Sequence, residues 1–255
     1  CRDLLKAFCG RIKPSYSVKA NTNPSLLKII REEGLAADAM SPGEIFVLQR
    51  SGFGAEEIFY IGNNVSREEM SYCMERGILV SVDSISQLEQ FGMISPGSRV
   101  AIRFNPGMGA GHCDKVITAG HKTKFGVQPE FCPEVKKILE KYSLKLTGIN
   151  QHIGSLFLEP DPYVDAAASL LDMAAENFPG LGFIDFGGGF GVPYRPGEKR
   201  LDLTELGRRM FEKIDLFLQK YDNKEVRFKC EPGRYISAEC GVLLGTVHAV
   251  KTNYG

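Results

Sequence analysis

Tyr16-Ser17-Val18-Lys19-Ala20-Asn21, near the start of a chain of 255 residues, decides between two ways of building an α/β domain. The run is apolar enough for a buried strand, yet it closes on a lysine and an asparagine. A doubly wound open sheet usually shows its glycine fingerprint after the first strand. Here the glycine run Gly187-Gly188-Gly189-Phe190-Gly191 comes only after the seventh strand-like segment. Candidate strands fall at residues 15–19, 36–40, 58–62, 79–83, 99–105, 146–152, 183–186 and 226–231. They are short, apolar on both alternating sets and polar at their ends, as a parallel strand covered on both faces reads.

Helical spacing fills the gaps, at 24–33, 42–50, 66–76, 86–91, 129–142, 162–177 and 203–221. Asn23 before Pro24, and Ser66 with Glu69 three residues on, are helix starts, while Gly34 and Gly77 are stops. The first four strand–helix units recur about every 21 residues, too long for a hairpin and right for a parallel step. Eight such alternations predict a (β/α)8 TIM barrel over residues 1–240, with the doubly wound sheet as the alternative. The alternating apolar stretch 242–250 predicts an exit strand, so that 241–255 would open a C-terminal domain missing from this chain. The start at Cys1 and the abrupt stop at Gly255 fit an excerpt of a longer protein.

Lys+Arg and Asp+Glu both number 31, which argues against a protein built to grip nucleic acid or an anionic membrane surface. No apolar run reaches the roughly 18–20 residues of a membrane span, and no secretory leader is visible. The seven cysteines are odd in number, scattered, and form no C-x-x-C pair, which points to a reducing, cytoplasmic compartment and mostly buried, inert thiols. His112, His121 and Cys113 lie in a glycine-rich stretch but lack ligand spacing, so no metal site is expected.

Barrel enzymes place their chemistry where strands end. Those positions hold Lys19, Asp38, Asp83, Arg103, His152, the run Gly187–Gly191, and Glu231-Pro232-Gly233-Arg234. A lysine ending an apolar run, held near a low-dielectric wall, makes a better nucleophile; alone, it also reads as a surface residue. Successive glycines let N–H groups converge on an anion, and the loops after strands seven and eight commonly bind phosphate, although glycines also serve tight turns. His152 suits ring stacking or proton transfer, or equally a hydrogen-bonded core position. Closure pairs strand eight with strand one, so Glu231 and Lys19 become neighbours. A phosphate nest, an amine and a carboxylate in one pocket are what pyridoxal phosphate requires.

Four ordered motifs, Tyr16-Ser17-Val18-Lys19-Ala20-Asn21, His152-Ile153-Gly154-Ser155, Gly187-Gly188-Gly189-Phe190-Gly191 and Glu231-Pro232-Gly233-Arg234, resemble those of the alanine-racemase-fold amino-acid decarboxylases. Smaller segments, including Ala37-Asp38-Ala39-Met40-Ser41-Pro42-Gly43-Glu44 and Arg103-Phe104-Asn105-Pro106-Gly107, look most like the diaminopimelate decarboxylase branch. The resemblance implies that Lys19 holds pyridoxal 5'-phosphate as a Schiff base and His152 packs on its ring. Ser155 and Arg103 would support the cofactor. Gly188, Gly189, Pro232, Gly233 and Arg234 would hold the phosphate, with Glu231 on the pyridine nitrogen. Arg234 would also reach a substrate carboxylate, and Asp38 and Glu44 match acidic positions near the cofactor and the dimer contact. Pro42 replaces a glycine common in relatives, which a helix first turn tolerates.

The implied reaction is loss of CO2 from meso-diaminopimelate, giving L-lysine. Glu231 would favour the protonated pyridine as electron sink. Racemases of this fold place an arginine there, so Glu231 argues for decarboxylation. The resemblance also implies a homodimer whose shared sites use a C-terminal β-domain absent here. Decarboxylases for ornithine, arginine, lysine or carboxynorspermidine, or a silent regulatory relative, are the alternatives. The intact Lys19, His152 and Glu231 speak against the last.

Overall fold

A computed structural model describes residues 1–105, 107 and 123–252. Eight parallel strands close in sequence order: β1 (Ile12–Ser17), β2 (Ala36–Ala39), β3 (Ile58–Ile61), β4 (Leu79–Val82), β5 (Arg99–Arg103), β6 (Lys145–Asn150), β7 (Phe183–Asp185) and β8 (Arg227–Cys230). β8 pairs with β1 through Ile12↔Phe228, Lys13↔Lys229 and Pro14↔Cys230, which leaves the sheet no free edge. The expected (β/α)8 barrel forms, and the open-sheet alternative is excluded.

Helices α2 (Pro24–Glu32), α3 (Pro42–Arg50), α4 (Arg67–Glu75), α5 (Ile85–Ile94), α6 (Cys132–Lys141), α7 (Asp161–Asn177) and α8 (Leu203–Lys220) follow successive strands. The starts read from sequence hold. Asn23 accepts from the Ser25 and Leu26 N–H groups, Ser66 and Glu69 form a reciprocal capping box, and Ser41 caps α3 with Pro42 in its first turn. Two helices were not expected. α1 (Arg2–Phe8) packs buried Leu4 and Phe8 against the barrel's outside, and one-turn α9 (Arg234–Ser237) follows β8. No helix of the described residues is long and apolar enough to cross a membrane.

Several expected boundaries move. The first strand is Ile12–Ser17, and Lys19 sits beyond it in a 3-10 turn, Val18–Ala20. Most other strands stop one or two residues early, because the ladder ends as the chain bends into its βα loop. Residues 241–252 form no strand, and Leu243 is 100% exposed. An alternating pattern needs a neighbouring strand for its hydrogen bonds, and the described residues offer none there. Only half of the six described thiols are buried, fewer than expected. Cys73, Cys132 and Cys230 are buried, Cys9 and Cys240 are exposed, and Cys1 lies between. His112, His121 and Cys113 fall outside the described residues.

Strand alternation separates two environments. The outward set, including Tyr16, Ala37, Tyr60, Val80, Ile102, Ile149, Ile184 and Phe228, merges with the helices into one large apolar core. The inward set holds a small apolar layer of Phe59, Ala101 and Phe183, with Ile61 and Leu79 against it. Nearer the C-terminal rim the interior turns polar, with Ser17, Asp38, Ser81, Arg103, Asn150, Asp185 and Glu231 all buried. Both alternating sets were expected to be apolar. Only the outward one is, because the interior of this barrel carries the site.

Candidate active site

The sequence places Lys19, Asp38, Arg103, His152 and Glu231 far apart, and barrel closure gathers them. Lys19 is exposed on the turn after β1, so the low-dielectric wall expected around it is absent. It nonetheless acts electrostatically on three rim groups: buried Asp38 and Glu231, and half-buried His152. The Ser17 hydroxyl, at the end of β1, donates to Asp38 Oδ2 at 2.5 Å and to the Glu231 carbonyl at 3.4 Å. The Ser17 N–H donates to the Pro232 carbonyl at 3.2 Å, so the seam between the first and last strands continues into the loops.

The glycine run is packed as tightly as its composition suggests. Asp185 Oδ1 accepts from the Gly187 N–H at 2.9 Å. The Gly187 carbonyl accepts from the Tyr163 hydroxyl and from the Glu231 N–H, each at 2.9 Å. Gly187 has φ +74°, in the left-handed region that glycine tolerates. At Gly188 a Cβ would lie 2.0 Å from the Glu231 carbonyl oxygen. The loops after β7 and β8 are therefore in direct contact. Gly188 N–H donates to His152 Nδ1 at 3.3 Å, which leaves the ring proton on Nε2. Burial, then the positive charges of Lys19 and Arg103, push His152 well below its usual range, so the ring is neutral.

Burial drives the carboxyls the other way. Asp38 is pushed up to about 7, with Lys19 and the Ser17 hydroxyl opposing the rise. Glu231 is raised well above the ordinary range by burial and then by Asp185 and Asp38, against Lys19 and Arg103. Its Oε1 is buried with no hydrogen-bond partner among the described residues. An unsatisfied buried acceptor is costly and uncommon in a finished structure. Arg103 Nη1 donates to Asn63 Oδ1 at 3.3 Å, and its guanidinium lies 5.0 Å from the Phe125 ring centroid.

Arg234 begins α9 and forms a second cluster. Its Nε and Nη2 each donate to Ser155 Oγ at 3.3 Å, and Nη1 donates to the Tyr194 hydroxyl at 2.8 Å. These three residues line a cleft of about 340 Å³ beside the glycine loop. Glu44 is occupied in helix geometry, accepting from the Met40 N–H at 2.7 Å. Asp83, whose N–H donates to Gln87 Oε1 at 3.2 Å, is raised by burial against the opposing charge of Arg103.

Sequence reading missed Asp185, Ser17 and Asn150, although each lies on the inward set of its strand. Strand alternation from Phe183 was the available signal for Asp185.

The residues present fit pyridoxal phosphate on two structural observations. The unpartnered Glu231 Oε1 suits a protonated ring nitrogen, and the Arg234 guanidinium and Ser155 hydroxyl line a cleft beside the glycine loop, a donor set that suits a phosphate.

A family model described as "Pyridoxal-dependent decarboxylase, pyridoxal binding domain" matches residues 1–238. The diaminopimelate decarboxylase of Methanothermobacter thermautotrophicus is 39% identical over 261 residues, covering 99% of this chain and 61% of that protein. That of Thermoplasma acidophilum is 31% identical over 257 residues, with 99% and 62% covered. Among solved structures, diaminopimelate decarboxylase from Helicobacter pylori complexed with L-lysine aligns with TM-score 0.83 at 26% identity, over 93% of this chain and 63% of that one. The M. jannaschii enzyme in complex with L-lysine aligns with TM-score 0.86 at 25% identity, over 99% and 62%. The chain thus spans somewhat over three-fifths of the length of these two curated relatives.

Proposed function

Since this chain belongs to the pyridoxal-dependent decarboxylase family, matching its pyridoxal-binding domain, we propose that it is the cofactor-holding barrel of an enzyme that converts meso-diaminopimelate to L-lysine and CO2. The observation that carries the reading is the buried Glu231 carboxyl, its Oε1 unpartnered, across the barrel seam from Lys19. Bound pyridoxal phosphate supplies an electron sink for the carbanion left when CO2 departs.

The chain's own residues do the rest. Lys19 Nζ is the amine that would hold the cofactor through its aldehyde. Glu231 Oε1 holds a proton at the ring nitrogen. His152, neutral and fixed by the Gly188 N–H, offers a flat apolar face to the ring. Gly188, Gly189, Pro232, Gly233 and Arg234 bind phosphate, with Ser155 orienting the arginine. Arg103 and Asp38 support the cofactor from the barrel wall. Arg234 also has the fork geometry to reach a substrate carboxylate.

The barrel occupies residues 1–240, and 241–255 lead into a C-terminal β-domain that supplies further substrate contacts. The working unit is a homodimer with sites shared across its interface. The free cysteines, three of them buried, support a reducing cytoplasm. Identity to curated diaminopimelate decarboxylases supports that substrate over ornithine, arginine or carboxynorspermidine.

Two measurements on the full-length protein test this. Borohydride reduction of the yellow holoprotein should fix the cofactor on Lys19, and peptide mapping to another lysine overturns the site. Carbon dioxide release from a panel of diamino acids should be fastest with meso-diaminopimelate. Turnover of ornithine alone reassigns the substrate, and no turnover of any favours a silent relative.

A further inference from the structure

Two residues before Glu231, on the same inward face of β8, stands a lysine that the proposed chemistry does not use. Lys229 Nζ lies 4.3 Å from the Phe183 ring centroid and 5.4 Å from that of Phe59, so its ammonium sits over the inner apolar layer. Strand pairing sets Lys229 beside Asp185 on β7 and beside Lys13 on β1. Asp185 is fully buried. Its Oδ1 accepts the Gly187 N–H at 2.9 Å, and its Oδ2 has no hydrogen-bond partner among the described residues. Asp185 therefore stands beside the lysine on the next strand while it holds the glycine loop above.

We propose that Lys229 is a positioning residue: its ammonium, packed on Phe59 and Phe183 beside Asp185, holds Asp185 as a carboxylate, which anchors Gly187 and leaves the local proton on Glu231 for delivery to the cofactor's ring nitrogen. The inference rests on the cofactor assignment above and deepens it.

The charges that face one another support this. Lys229 faces Asp185 and Glu231, with Arg227 and Lys13 as like charges nearby. Burial raises Asp185 to about 6, and Lys229 is the first group opposing that rise. Glu231 faces Asp185, Asp38, Lys19 and Arg103, and Asp185 is the foremost charge raising it. Cys230 and Tyr163 also face Asp185, and both are raised well above their usual ranges, so neither contributes a charge near neutral pH. Three buried carboxyls thus compete for protons through their mutual charges. Lys229 favours ionisation at Asp185, whose charge in turn favours the protonated form of Glu231. When the ring nitrogen arrives, the Glu231 O–H bond breaks and an N–H bond forms. That leaves a carboxylate paired with a pyridinium and no net change in charge.

The test uses the full-length protein and five forms: wild type, Lys229→Met, Lys229→Arg, Asp185→Asn and the Lys229→Met, Asp185→Asn double variant. Methionine keeps the stem on the two rings and removes the charge, with Lys229→Gln as a substitute if the methionine form does not fold. Infrared titration of the apoprotein follows the carboxylic-acid carbonyl band that Asp185→Asn deletes. Cofactor affinity is measured across pH with pyridoxal phosphate. In Lys229→Met the Asp185 acid band should persist to a pH higher by about one unit or more. Cofactor dissociation should rise about tenfold. Lys229→Arg should resemble wild type, and Lys229→Met should add nothing in the Asp185→Asn background. A folded Lys229→Met protein that titrates Asp185 as wild type does, or that weakens cofactor equally without Asp185, overturns the proposal. A wild type that binds no pyridoxal phosphate overturns the cofactor assignment instead, and the apoprotein infrared titration still decides the coupling of Lys229 to Asp185.

Discussion

Burial at the rim sends the protons of Glu231 and His152 in opposite directions, the acid keeping its proton and the imidazole losing one. That division suits a carboxyl that meets a ring nitrogen and a histidine that lies against the ring as an uncharged plate. Glu231→Gln should separate binding from chemistry. It keeps size and one hydrogen bond but cannot hold the pyridine proton by charge. Cofactor should still attach to Lys19, while decarboxylation should slow about a hundredfold or more, on the order of 3 kcal/mol of transition-state stabilisation. Single-turnover kinetics at saturating cofactor would show this. Loss of cofactor instead of rate would make Glu231 an anchor. Lys19, Asp38, Arg103, His152 and Glu231 were legible as strand-end residues. Alternation from Phe183 could place Asp185 inside the barrel, but not its role, which comes from facing Glu231 and Lys229 on another strand.

At the scale of elements, the site depends on two loops held in contact. The Gly188 backbone touches the Glu231 carbonyl, and Gly187 hydrogen-bonds back to the start of the β8 loop. Gly188→Ala would force those loops apart, since a Cβ at 2.0 Å from a carbonyl oxygen has no room. Cofactor affinity should fall by about tenfold or more while the melting temperature moves less, a split that calorimetry and spectral titration together would read. The helices behind the barrel behave more locally. Ser66 accepts from the Glu69 N–H at 3.2 Å, and Glu69 Oε2 accepts from the Ser66 N–H at 2.8 Å, closing the start of α4. Ser66→Ala should cost about 1 kcal/mol of stability and leave cofactor binding unchanged, as chemical denaturation would show. This box was legible in the sequence because capping needs only residues three apart. The 3-10 turn carrying Lys19 was not, because strand propensity continues through Val18 and only the closing bend ends the ladder.

Across the whole molecule, the buried carboxyls give the apoprotein an unusual response to pH. Asp38 and Asp185 hold protons up to about 7 and about 6, above the values of an unfolded chain. Between about pH 4 and pH 7 the folded state therefore binds more protons than the unfolded one. Their contribution is fully present below the unfolded values and is lost as pH rises through the folded ones. The melting temperature of the apoprotein should accordingly fall across that interval, and Asp38→Asn or Asp185→Asn should flatten the slope. Differential scanning calorimetry at several pH values checks it. A melting temperature that climbs over the same interval would mean that the interior carboxyls ionise freely.

The sequence by itself determined the alternation of strands and helices, the order of the rim residues and the helix caps, because each depends on residues within a turn or two of one another. Closure of the barrel could be inferred from the count of strands. What lies inside the barrel could not. Only the tertiary structure decided that Asp185 faces both Lys229 and Glu231 from the next strand, that Lys19 stands exposed beyond its strand, and that residues 241–252 form no strand. Ionisation inside a barrel depends on distances across it, and a strand exists only where another supplies its hydrogen bonds.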